Sequence, residues 1–245
     1  MKQASISFAV VLAVTLSVAG VVPALAQPVG ATADGPVVAV VVDDAHVRFV
    51  DTVQMRRVIR DVVDRLLPDG SLMSLASTGR WSTPLDPTFE KGKVDGKVNQ
   101  LMGLGPTPAD ASQLPSTDIA RRAQLTSQTL ADVVSSMASI SNRRKVIVLV
   151  SSGAVLNTLT ANERRELQAT FAAVAASASR AGITLLAVDP RDFGDRPFSG
   201  PDTTVGERHA ALRALTGTPV IADQPALDAA IRQVLSQAEP RTTRR

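Results

Sequence analysis

The chain has 245 residues, 44% of them hydrophobic and 20% charged, with a formal net charge of +3 and no cysteine. The lack of cysteine excludes disulfides, thiolate metal centres and a lipid-anchored cysteine. An isoelectric point near 9.8 does not mark a nucleic-acid binder. With no Tyr or Cys to titrate, a slight excess of Lys and Arg carries it up, and Arg241, Arg244 and Arg245 at the C-terminus account for that excess. No dense basic face is left for phosphates, so nucleic acid is discounted as a partner.

Residues 1–26 read as a secretory signal peptide. Lys2 precedes an apolar run from Ile6 to Val22, Gly20 and Pro23 break it, and Ala24-Leu25-Ala26 supplies a small-x-small cleavage site. The rival reading is a retained anchor, because the run is nearly long enough to span a bilayer. Cleavage after Ala26 predicts a secreted or periplasmic protein with no membrane association. Residues 27–35 form a Pro/Gly/Ala linker, 36–238 one domain, and 239–245 a basic disordered tail.

Within the domain, Val37 to Val42 is an uninterrupted apolar run and reads as a strand buried on both faces. Met55, Ile59, Val62, Val63 and Leu66 recur at helical spacing, predicting a helix over 52–67 that Pro68-Asp69-Gly70 stops. A strand follows at 71–76, then an edge strand over 84–89, where Pro is tolerated. A helix carrying Val94, Val98 and Leu101 comes next, and 103–117 is a Pro/Gly loop. Residues 118–140 form a long amphipathic helix, and Lys145 to Val150 a second strongly buried strand. Thr160 and Glu163 make a capping box opening a helix to Ala181, which Gly182 closes. Ile183 to Val188 is a third buried strand. A polar loop over 189–206, a helix over 207–216, a short strand at 219–222 and a helix from Pro225 to Gln237 complete the chain.

Strands alternating with helices of this length imply right-handed βαβ units. The predicted fold class is α/β, doubly wound, with a mainly parallel sheet covered by helices on both faces. In such a sheet, binding occurs at the carboxyl ends of the strands. The residues predicted to gather there are Asp43, Asp44 and His46, then Ser77 and Thr78, then Ser151, Ser152 and Gly153, and finally Asp189. Phe193 and Phe198, among Asp, Arg and Gly in the loop after Asp189, are candidates for an exposed recognition surface. Arg143, Arg144 and Lys145 lie at the opposite end and read as a solvated edge. His209, with Arg208 and Arg213 close in sequence, reads as a solvated helix face.

Several segments carry a resemblance in order and spacing: "VVAVVVDDAHVRF", "ARRAQLTSQTLADVVSSM", "RRKVIVLVSSG", "AGITLLAVDPRDF" and "ALRALTGTPVIADQPALDAAI". Over roughly Pro36 to Gln237 the chain resembles the von Willebrand factor A domain, in particular the bacterial secreted proteins called VWFA-related. The resemblance implies a three-layer α/β fold and a metal-ion-dependent adhesion site. That site is built from Asp-x-Ser-x-Ser after the first strand, a Thr from a later loop and an Asp after the fourth strand. Asp43 matches the first acid and is the one metal candidate. Ala45 and Val47 stand where the serines would be, Thr129 (or Thr126) matches the threonine, and Ser152 replaces the second acid. With these oxygens missing, the site is expected to be degenerate, with no cofactor and at most weak residual Mg²⁺ or Ca²⁺ binding.

Two enzyme readings compete. A phosphoacceptor receiver shares the topology, but this chain has Ser77-Thr78-Gly79 where the acceptor aspartate belongs and Asp189-Pro190-Arg191 where a lysine belongs. A hydrolase could draw on Ser151 or Ser152, His46 and Asp44 or Asp189, although the Gly-x-Ser-x-Gly elbow is absent. The expected function is non-enzymatic, with a protein partner meeting the crevice formed by Asp43, Asp44, His46, Thr129, Ser151, Ser152 and Asp189.

Overall fold

The six apolar residues Val37–Val42 form β1, and all six are buried, so helices must cover this strand on both sides. Its neighbours are β2 (Leu72–Ser77) and β4 (Lys145–Val150), both parallel to it. β5 (Ile183–Val188) and β6 (Val220–Ile221) extend the parallel sheet beyond β4. β3 (Leu85–Thr88) closes the other edge as the antiparallel strand, with Pro87 in it. The order is β3-β2-β1-β4-β5-β6. The structure is a computed structural model that describes residues 35–67, 70–79, 84–107, 110, 113–153, 159–193 and 205–236. The expected signal peptide (residues 1–26), all of the expected linker but Gly35, and the basic tail lie outside the described residues.

Side-chain alternation sends Val38, Val40 and Val42 to one face and Val37, Ala39 and Val41 to the other. The first face packs under α1 (Thr52–Leu66), α2 (Lys91–Val98) and α6 (Gln224–Ser236). The second packs under α3 (Ser116–Ala138), α4 (Ala161–Arg180) and α5 (Val205–Thr216). This is the three-layer α/β arrangement expected from the alternation of strands and helices.

Helix boundaries follow local chemistry. The Thr160 side chain accepts from the Glu163 backbone amide, and Glu163 reaches back to the Thr160 amide, so α4 begins with the capping box read from the sequence. It ends before Gly182, which takes the left-handed conformation (φ +65) that favours glycine. α3 starts at Ser116, two residues before Asp118, because Pro115 fits the position just ahead of a helix. Short 3-10 turns occupy Phe49–Asp51, just ahead of the predicted first helix, and Pro190–Phe193, inside the stretch read as loop.

The basic run before β4 is not the solvated edge expected. Arg143 donates to Gly35 O at 3.0 Å and its guanidinium lies 5.9 Å from the Phe89 ring. Arg144 donates to Val234 O at 3.2 Å, at the end of α6, where free carbonyls and the negative helix terminus favour a cation. Lys145 reaches Ile140 O at 3.1 Å. These side chains satisfy carbonyls at the amino end of the sheet.

On α1, Met55, Val58, Ile59, Val62, Val63 and Leu66 are buried at helical spacing, while Val53 on the same helix is exposed. Ile59→Ala should therefore cost about 2–5 kcal/mol in denaturant unfolding, and Val53→Ala should stay within about 0.5 kcal/mol.

Candidate functional site

The sheet register makes one polar row. Val42 pairs with Ser77 and with Val150, and Val150 pairs with Val188. The residue after each strand stays in line: Asp43 N donates to Val150 O (2.9 Å), Thr78 N to Val42 O (3.0 Å), and Ser151 N to Val188 O (3.0 Å). Connections to the two sides of β1 run in opposite directions, so this is the topological switch point, where a crevice opens in doubly wound sheets.

β1 ends because the chain turns at once. His46 N and Val47 N both donate to Asp43 O, at 3.1 and 3.0 Å. An extended strand would direct Asp44 away from Asp43, and the unbroken apolar run before it leads one to expect that geometry. The turn instead brings both carboxylates to one hydroxyl. Thr78 Oγ1 lies 2.9 Å from Asp44 Oδ1 and 3.3 Å from Asp43 Oδ1, and it accepts from Ala45 N at 3.2 Å.

Asp43 is the hub. Its Oδ1 accepts from Thr126 Oγ1 at 2.9 Å and its Oδ2 from Ser151 Oγ at 2.6 Å. His46 Nδ1 sits 2.9 Å from both oxygens. Burial pushes this carboxyl up, but the His46 charge and the hydrogen bonds from His46, Ser151 and Thr126 outweigh it and hold Asp43 below the usual aspartate range. Asp44 goes the other way. Burial raises it, the bonds from Thr78 and the Gly79 amide only partly offset that, and the neighbouring Asp43 charge adds to the rise.

A second layer holds the turn. Leu104 N donates to Asp44 O at 2.7 Å and Gly105 N to Val47 O at 2.8 Å. Arg122, on α3, donates from Nη1 to Ala45 O (2.8 Å) and Leu104 O (3.2 Å). The approach is close enough that a Cβ on Gly105 would stand 2.5 Å from His46 O, so only glycine fits there.

Of the predicted crevice residues, Asp43, Asp44, His46 and Ser151 come together, and Thr78 and Thr126 join them. Thr129 does not join. Its hydroxyl donates to Leu125 O at 2.9 Å on the outer part of α3. Thr126 lies on the inward stripe with Ile119, Ala123, Leu130, Val134 and Met137, which is why it reaches Asp43. Asp189 belongs to a neighbouring arrangement. Arg191 donates to both of its oxygens, at 2.9 and 2.7 Å, and also to Ser152 O. The Ser152 hydroxyl is buried and has no hydrogen-bond partner among the described residues. His209 is not on a solvated face, since its Nε2 lies 2.5 Å from Asp192 Oδ2 and both side chains are largely covered.

For a divalent cation, the donor set at Asp43 is poor. Both carboxylate oxygens already receive hydrogen bonds, and the nearby Ala45 and Val47 are buried apolar side chains. A hard cation needs several oxygen ligands. Ligand atoms of Asp189, Asp192 and His209 lie within 4.8 Å of one another, but the Arg191 guanidinium already supplies the positive charge at Asp189. For acyl transfer, Asp43 rather than Asp44 orients His46, and Ser151 gives its hydroxyl proton to Asp43 rather than to the imidazole.

Beside this network the surface is apolar. Phe49, Val50 and Val53 are 67%, 72% and 77% exposed, on the 3-10 turn and first turn of α1 that continue directly from the buried turn. Met102 is also exposed, and its neighbour Gly103 donates to Thr52 Oγ1 at 3.0 Å, which places it next to the same helix start. Phe193 packs partly buried against the core, whereas Phe198 and residues 80–83 and 154–158 lie outside the described residues. The chain is thus a three-layer α/β protein with a hydroxyl-lined carboxylate at its switch point. No family model matches it, and no curated protein matches it. Among the described residues no helix is long and apolar enough to cross a membrane.

Asp43→Asn places an amide donor against hydroxyl and imidazole donors, and should cost about 3–5 kcal/mol. Asp44→Asn keeps an Oδ1 acceptor for both Thr78 and Gly79 and removes a buried charge, so it should be neutral or stabilising at pH 7. A carboxyl whose pKa is raised on folding is destabilising when ionised, so any advantage of the Asp44→Asn variant should shrink as pH falls below the folded Asp44 pKa and be gone below the ordinary aspartate value of 3.8. The measurement is denaturant unfolding across pH. In the same assay Thr126→Val should cost about 1–3 kcal/mol, and Thr129→Val less than about 0.5 kcal/mol.

Proposed function

We propose that this chain is a von Willebrand factor A-like domain, exported to the periplasm or medium, that docks a protein partner through the carboxyl-end rim of its sheet without holding a divalent cation tightly. One observation carries the reading. The most exposed large apolar side chains of the described residues, Phe49, Val50 and Val53, lie together at the start of α1, immediately beside the rigid turn after β1. Apolar surface this exposed on one rim suits an interface, and Arg57 is exposed one turn further along α1. The turn beneath is fixed by Asp43, Arg122 and the loop at 101–105, so the rim needs little ordering on binding.

A hydrolase using the same crevice is the second reading, favoured by the Asp43–His46 pair, which leaves Nε2 of the ring with no protein partner among the described residues. It predicts turnover in an esterase or phosphatase panel that is lost in His46→Gln. The docking reading predicts none.

The deciding experiment is affinity capture from periplasmic extract and culture supernatant with the mature chain and with a Val50→Asp/Val53→Asp double variant. Docking predicts a specific partner whose recovery falls about tenfold or more in the variant, with the unfolding midpoint unchanged. Equal recovery by both proteins would place the interface elsewhere.

A further inference from the structure

The Asp43–His46 pair leaves one polar atom unexplained. Nδ1 of His46 lies 2.9 Å from both carboxylate oxygens of Asp43, so that side of the ring is satisfied. Nε2, on the far side of the ring, is buried and has no partner among the described residues. Buried polar atoms in folded proteins are nearly always satisfied by protein or by ordered water.

His46 also lines a small cavity together with Asp43, Thr126 and Ser151, and apolar side chains including Leu149, Phe171 and Leu212 complete the lining. Its volume is about 10 Å³, which accommodates a single water and nothing larger. The polar lining suits one. The Thr126 hydroxyl gives its proton to Asp43 and keeps acceptor capacity. The Ser151 hydroxyl gives its proton to Asp43 and accepts from Gly153 N at 3.0 Å.

We infer that this cavity is a binding site for one buried water, which hydrogen-bonds to His46 Nε2 and donates to the Thr126 hydroxyl. The water completes a closed set of hydrogen bonds around Asp43: Ser151, Thr126 and the imidazole donate to the carboxylate, and the water satisfies the far side of the ring. The chain's own His46 thereby supplies at the first-strand carboxylate the polar partner that an ion would supply elsewhere.

The test is an atomic-resolution crystal structure of the mature chain. The inference expects one density peak about 2.7–3.2 Å from Nε2, with tetrahedral rather than octahedral neighbours. In His46→Phe the peak should be lost. A dry cavity or a peak with metal–oxygen distances would each overturn it. The Val50→Asp/Val53→Asp variant, whose changes lie outside the cavity lining, should retain the peak whether or not partner capture fails.

Discussion

The structure turns on one buried carboxylate. Asp43 is fixed by β1, and its side chain is reached from the end of β4 by Ser151, from α3 by Thr126, from β2 by Thr78 and from its own turn by His46. A buried ionised group is tolerated only when its oxygens are filled. The demand for donors at this point therefore dictates which residues stand at the ends of the neighbouring strands. The polar row and the apolar sheet beneath are two sides of one constraint, because the strands can be wholly apolar only if all polar chemistry is pushed to their ends.

That constraint shapes the surface as well. The hydrogen bonds from Leu104 and Gly105 and the Arg122 clamp fix the turn after β1. Directly beyond it the chain enters the 3-10 turn that carries Phe49 and Val50 outward. An apolar rim on a rigid support loses little conformational freedom when it is covered. The docking reading draws its strength from this pairing of a stiff polar base with an exposed apolar edge.

Much of the fold is legible from the residues. Unbroken runs such as Val37–Val42 and Val146–Val150 demand burial on both faces, and the Thr160–Glu163 box marks a helix start by local chemistry alone. The candidate site is legible only in part. Asp43, His46 and Ser151 follow from topology, because strand ends meet at a switch point. Thr126 over Thr129 depends on which residues share the inward stripe of α3, a pattern present in the spacing of Ile119, Ala123, Leu130 and Val134. Arg122 and the loop at 101–105 carry no local signal, since their role comes from a tertiary approach across many residues. Sequence suggests exposed aromatics at Phe193 and Phe198, because aromatic residues among polar ones look exposed; tertiary packing partly covers Phe193 and leaves Phe49 out, and Phe198 lies outside the described residues.

The central claim is that hydroxyls and an imidazole fill the oxygens of Asp43 and leave none free for a hard cation. Calorimetric titration of the mature protein with Mg²⁺, Ca²⁺ and Mn²⁺ tests it most directly. The account predicts no binding tighter than about millimolar, and a micromolar site abolished by Asp43→Ala would contradict it.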